Sequence, residues 1–377
     1  MIGVTNFNIV TSFLARFQRK RESEIMHMVD ALISPVVGGT LWCVSGGLIA
    51  FCARKVKHTL RDNLVPMMGV LGAFIFAAQM INFAIPGTGS SGHLGGGLIL
   101  AILLGPYAAF LVISSVLTMQ AFFFMDGGLL ALGCNIFNLG FFPAFIAYPL
   151  IYRVIARDQH GTSRALVAAL VAAVAGLLLG ALSVVLETRF SGISELPFNT
   201  FVLMMVPIHL AIGVVEGLAT AAVIAFVARA RPEALQTTPS AATSASRRPV
   251  MIGLAIAAVV MGSVMSWFAS THPDGLEWSI AKVAGKDEVS GAMGSVHRNL
   301  AELQKKTAFL PGYGFKAATS ESAPVDHTST PEPEPWPAVK AGTSVAGIAG
   351  GCMTLLLVCL AGFALRASST QRAQTHI

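Results

Sequence analysis

The sequence predicts an all-α integral membrane protein. About seven transmembrane elements form its core, and two further C-terminal transmembrane helices flank an extracytoplasmic loop. Three observations predict this class. Of 377 residues, 54% are hydrophobic and only 12% charged, against about 25% charged in soluble domains. Apolar runs of spanning length recur near 36–53, 64–85, 106–125, 135–156, 163–187, 199–229, 250–270 and 344–366. The charges gather between these runs, as in polytopic membrane proteins, whereas a large soluble helical protein would spread them. Most of the net charge of +6 lies in short segments beside apolar runs. There it sets topology, and no nucleic acid partner is implied.

A ninth, shorter run, 95–105, lies between Gly95-Gly96-Gly97 and Gly105-Pro106. At roughly 1.5 Å per residue it cannot cross a core of about 30 Å. It is expected to be a short or re-entrant helix inside the protein. With nine alternating elements, Arg54, Lys55, Lys57 and Arg61 share one side with Arg153, Arg157 and Arg164. Arg229, Arg231, Arg247, Arg248, Arg366 and Arg372 fall there too. That side is expected to be cytoplasmic. Of the opposite loops, 86–94, 126–134, 188–198 and 271–343, the first two carry no Lys or Arg and the third carries only Arg189. The expected location is the cytoplasmic (inner) membrane, with the Met26 end outside and the C-terminus inside.

Residues 1–25 break the pattern, because Arg16, Arg19, Lys20 and Arg21 would lie outside. They lack an apolar core and a small-residue cleavage site, so a cleaved signal peptide is not expected. The segment is expected to be a disordered extension or a misassigned start, with translation beginning at Met26. The remaining expected units are a membrane domain over 26–230, a flexible Ala/Ser/Thr/Pro-rich cytoplasmic linker over 231–249, and a two-helix unit over 250–377. The polar outer loop of that unit, 271–343, ends in a Pro-rich stretch expected to be extended.

No HExxH, GxSxG or GxxxxGK[ST] motif occurs. An enzyme is therefore not expected, and any energy for transport comes from elsewhere. Cys43, Cys52, Cys134, Cys352 and Cys359 show no CxxC spacing and read as small core residues. Polar residues inside apolar runs are expensive. Gln79 and Asn82, Asn135 and Asn138, and His209 and Glu216 are each spaced to share a helix face, and interhelical hydrogen bonding is their simplest reading. His93 stands in the glycine-rich loop PGTGSSGHLGGG, where glycines let backbone approach a ligand closely. Taken alone it reads as a surface residue. Met26-His27 as a chain start would offer a terminal amine, an amide nitrogen and an imidazole Nδ1 in one plane. A fourth nitrogen from His93 would complete a square-planar set suited to Ni²⁺ or Cu²⁺. As internal residues they would offer no amine.

MHMVDALISPVVGG, QMINFAIPGTGSSGHLGGG, QAFFFMDGGLLALGCNIFNLG and VPIHLAIGVVEGLATA together resemble the substrate-capture component of cobalt/nickel energy-coupling-factor transporters, the CbiM/NikM family. HPDGLEWSIAKV and LPGYGF resemble its NikN-like companion of the PDGLE type, here fused to it. The resemblance implies a metal held by the amine and amide of Met26 and His27, the His27 imidazole and His93, with Ni²⁺ or Co²⁺ as transported substrate rather than cofactor. Gln79, Asn82, Asn135 and Asn138 then become candidates to orient those ligands. It also implies two cytoplasmic ATPase subunits and a transmembrane coupling subunit as partners. This chain departs from the pattern in its extra N-terminal residues and in Gly89-Ser90, where a shorter GTSGH is expected. A self-sufficient metal permease lined by His209 and Glu216, a membrane enzyme and a non-transporting scaffold are the alternatives.

Overall fold

The computed structural model describes residues 27–59, 64–157, 163–194, 196–230, 248–284, 294–316 and 336–374. Met26, most of the 231–249 linker and the Pro-rich stretch before Trp336 lie outside them. The helices are α1 (Pro35–Thr59), α2 (Leu64–Gln79), α3 (Gly97–Leu104), α4 (Pro106–Phe124), α5 (Leu132–Ala156), α6 (Ser163–Ser191) and α7 (Phe198–Ala230). After the linker come α8 (Arg248–Ser263), the amphipathic helices α9 (Gly275–Ala284) and α10 (Ser295–Thr307), and α11 (Ala341–Gln374). Among the described residues six helices, α1, α4, α5, α6, α7 and α11, are long and apolar enough to cross a membrane, while α2 and α8 are shorter apolar helices. The molecule is a predominantly helical membrane protein.

Leucine-, alanine- and valine-rich stretches form these helices because only a helix satisfies its own backbone in a hydrocarbon solvent. Large apolar side chains such as Val36, Phe190, Leu203 and Leu360 are exposed on their outer faces, as a lipid-facing surface requires. Small residues allow close packing inside. A Cβ at Gly217 of α7 would come within 2.6 Å of the Leu170 backbone in α6, so these two helices touch backbone to backbone. Helices α8 and α11 pack on α2, joining the C-terminal unit to the membrane core. Pro143 and Pro149 interrupt α5, whose middle, Phe137–Tyr152, takes the wider π-helical form. Each proline removes one backbone donor and so disturbs the regular ladder.

Three features differ from the sequence expectation. The apolar run 64–85 is not one helix: α2 stops at Gln79, and Phe83–Ile85 (β1) pairs antiparallel with Ser90–Gly92 (β2). The glycine-rich loop is thus a hairpin, with Gly87 and Gly89 at positive φ in its turn. The run 250–270 is helical only to Ser263 and continues as a separate helical turn, Met265–Phe268. Cys52 and Cys134 are buried, but Cys43 and Cys352 are exposed. The short run does form a buried helix, α3, capped by Gly96 and Gly105.

The ends of the helices sort into two groups. The starts of α1, α5 and α7 and the ends of α2, α4 and α6 carry the hairpin, the Met125–Ala131 loop and helices α9 and α10. The opposite ends carry Arg54, Lys55, Arg153, Arg157, Arg164, Arg229, Arg248 and Arg366. The candidate site lies at the first of these ends.

Candidate metal-binding site

Three segments build the site: His27–Ile33 before α1, the loop after α4, and the hairpin exit at His93. Helix α4 ends with Met125 in the left-handed conformation, and the Met125 and Asp126 amides both bond to the Gln120 carbonyl. This reversal presents Asp126 to the segment before α1. Gly127 follows at φ +80°, and a Cβ there would lie 2.9 Å from both His27 Cβ and Asn135 Nδ2. Only glycine lets the two strands of chain pass this closely.

His27 is buried. Its backbone N–H donates to Asp126 Oδ1 at 3.2 Å, and its Nδ1 lies 3.0 Å from the same oxygen. Two nitrogens of one residue thus converge on a single point, the geometry of a chelate bite. Nε2 of His27 is buried without a hydrogen-bond partner. Asn135 holds the next residue at both ends, accepting from Met28 N–H at 3.2 Å and donating to the Met28 carbonyl at 3.1 Å. Asp30 Oδ1 accepts the Ala131 amide at 2.9 Å, closing the segment against the start of α5.

His93 faces His27, with ring centroids 5.2 Å apart at 61°. Its Nδ1 lies 2.7 Å from Asp274 Oδ2. Burial pushes the His93 imidazole pKa down, but the Asp274 charge and hydrogen bond outweigh it and leave it raised. Burial likewise pushes Asp126 up, but the neighbouring His27 and the hydrogen bonds from His27 and Tyr313 prevail and hold its carboxyl below the usual range. The Tyr313 hydroxyl donates to Asp126 Oδ2 at 2.6 Å. Asp126 is therefore held as an anion by the groups around it.

The residues after His93 are anchored by Glu216 of α7, whose carboxylate accepts the Gly95 and Gly96 amides at 2.9 and 3.0 Å. Gln79 donates to the Gly95 carbonyl at 3.0 Å and accepts from Gln120 at 2.9 Å. Below the two histidines a cavity of ≈ 80 Å³ extends inward, lined by His27, His93, Asn135, Asn138, His209 and Glu216 among others.

The sequence-predicted residues thus divide. His27 and His93 come together, and Gln79 and Asn135 grip the backbone beside them. Asn138 lines the cavity but donates to Glu187 at 2.9 Å. Asn82 lies on a different pocket, with Ser266 and Tyr313. Its predicted partner Gln79 faces the site because α2 ends between them. His209 bonds the Met205 carbonyl within its own helix at 2.8 Å. Asp126, Asp274 and Tyr313 were not singled out from sequence. An acid within the apolar stretch QAFFFMDGGLLALG was the signal that points to Asp126, since a buried carboxylate needs a partner.

Among the described residues, no three His, Cys, Asp or Glu side chains form a metal-binding group.

The fold is that of a helical membrane protein with two facing imidazoles over a buried cavity. The sequence model described as the cobalt uptake substrate-specific transmembrane region, CbiM, matches residues 27–234, and that of the PDGLE domain matches residues 248–367. The chain belongs to the CbiM family and carries a PDGLE domain behind it. The fused nickel transport protein NikMN of Rhodobacter capsulatus is 30% identical over 316 residues, covering 80% of this chain and 87% of its own. The cobalt transport protein CbiM of Geobacter sulfurreducens is 30% identical over 214 residues, covering 56% of this chain and 61% of its own. The crystal structure of a transition metal transporter is 28% identical and overlaps 55% of this chain and 95% of its own, with a TM-score of 0.49.

Proposed function

We propose that the chain captures Ni²⁺ or Co²⁺ as the substrate-binding component of an energy-coupling-factor transporter. The observation that carries this reading is the convergence of the His27 amide nitrogen and Nδ1 on one point, beside the His93 ring. The amide, the imidazole and the amine of Met26 would close fused chelate rings around the ion, and His93 would supply the fourth nitrogen. This planar nitrogen set suits Ni²⁺, whereas a hard ion such as Mg²⁺ asks for oxygens. The amine requires a chain that begins at Met26. The lone PDGLE-type fusion and the nickel name of the Rhodobacter relative favour nickel.

In this reading the site opens on the outer face of the cytoplasmic membrane, and the basic helix ends are cytoplasmic. Two ATPase subunits and a transmembrane coupling subunit supply the energy, in keeping with the lack of a phosphate-loop motif in the sequence. A self-sufficient permease using His209 and Glu216 is the weaker reading. Glu216 is committed to the Gly95 and Gly96 amides, and His209 to Met205.

Equilibrium dialysis of the purified chain against Ni²⁺ across pH 5 to 8 tests the nitrogen site. Each nitrogen must lose its proton to bind. Affinity is therefore expected to fall as the pH drops through the histidine range, and an affinity constant over that range contradicts the proposal.

A further inference from the structure

The PDGLE motif lies 181 residues beyond His93 in the chain, yet it forms part of the His93 environment. Ser91 of β2 donates its amide to the Pro273 carbonyl at 2.8 Å, and its hydroxyl to the His272 carbonyl at 2.8 Å. Ser91 also bridges in parallel to Asp274. The segment His272–Asp274 therefore lies against β2, joined to it by a single parallel bridge. Trp278 of α9 fixes the other side by donating its indole N–H to the Thr88 carbonyl in the hairpin turn at 3.0 Å.

Asp274 is itself held in place. It is buried, its Oδ1 accepts the Leu276 amide at 3.2 Å, and its carbonyl accepts the Trp278 amide at 2.7 Å as α9 begins. Gly275 rests on Ile212 of α7, where an added Cβ would lie 3.0 Å from Ile212 Cδ1. Its remaining oxygen, Oδ2, meets His93 Nδ1 at 2.7 Å. A carboxylate at Nδ1 keeps the proton on that nitrogen and leaves the Nε2 lone pair as the donor of the ring.

We propose that Asp274 is the positioning residue of His93, and that the PDGLE unit thereby completes the capture site. The inference rests on His93 being a ligand. Asp274 does not touch the metal: it selects the tautomer of His93 and fixes the ring plane. The fused C-terminal unit then acts directly on metal affinity, in addition to packing on the membrane core.

A double-mutant cycle on the full-length chain, titrated with NiCl₂ in detergent, tests this. Asp274→Ala is expected to weaken Ni²⁺ binding by about 10- to 100-fold, as for other outer partners of ligating histidines. Asp274→Asn keeps the shape and an acceptor oxygen but loses the charge, and about a tenfold loss is expected by the same reasoning. In a His93→Ala background, with the residual Ni²⁺ binding read in the same titration, Asp274→Ala is expected to add less than about a twofold change, because the group it acts through is gone. The visible ligand-field band of bound Ni²⁺ is expected to shift in Asp274→Ala and in His93→Ala alike.

Equal losses from Asp274→Ala in both backgrounds would mean that Asp274 is merely structural and would overturn the inference. So would wild-type affinity in Asp274→Asn. Wild-type affinity in His93→Ala would remove the ligand itself, and with it the proposed function. Reduced affinity in His93→Ala with none in Asp274→Asn would sink the positioning role alone.

Discussion

The two histidines of the site are each paired with a carboxylate, but the carboxylates come from different places. His27 meets Asp126, from the loop after α4 in the same membrane unit, and both its amide nitrogen and Nδ1 reach one oxygen. His93 meets Asp274, from the PDGLE unit, and only through Nδ1. The first half of the site is therefore self-contained, and the second is completed across the two units. Even the self-contained half is tuned from outside, since Tyr313 of LPGYGF donates to Asp126 and Gln304 of α10 donates to the Gly127 carbonyl at 2.7 Å. On the proposed reading the N-terminal unit supplies the nitrogens, and the C-terminal unit holds them in place.

The comparison breaks most decisively at His27. His27→Ala removes an imidazole ligand from the half that carries the chelate, and Ni²⁺ affinity by calorimetric titration is expected to fall about 1,000-fold, or roughly 4 kcal/mol. Asp126→Asn leaves both His27 nitrogens without their anion, and a loss of about 10- to 100-fold is expected in the same titration. Tyr313→Phe removes one hydrogen bond to Asp126 from the C-terminal unit. A loss of about fivefold is expected, corresponding to roughly 1 kcal/mol for one bond. Asn82→Ala is the control, because Asn82 lies on another pocket, and Ni²⁺ affinity by dialysis is expected to stay unchanged. A large loss there would place Asn82 with the ligands, as its sequence spacing proposed.

The helices were legible because hydropathy over some twenty residues is a strong signal, and α3 was legible from its length and its flanking glycines. The hairpin was not. Its strands are three residues each and are embedded in an apolar run that reads equally well as the end of α2. The His27–His93 pairing was weighed from chelate chemistry and then implied by the family resemblance, not read from spacing, because 66 positions of chain separate them and no local pattern joins them. Asp126 left a trace in sequence as an acid within an apolar stretch. Asp274 left none, since it stands in a polar loop where an acid costs nothing and only the folded contact with the hairpin buries it. Gln79 and Asn82 show the limit of face-sharing arguments: the spacing holds only while the helix continues, and α2 ends at Gln79.

X-ray absorption at the nickel edge of the Ni²⁺-loaded chain beginning at Met26 tests the central claim most directly. A planar site of four nitrogens with two imidazoles among them is the predicted result. A six-coordinate, oxygen-rich site, or a site with a single imidazole, would contradict it.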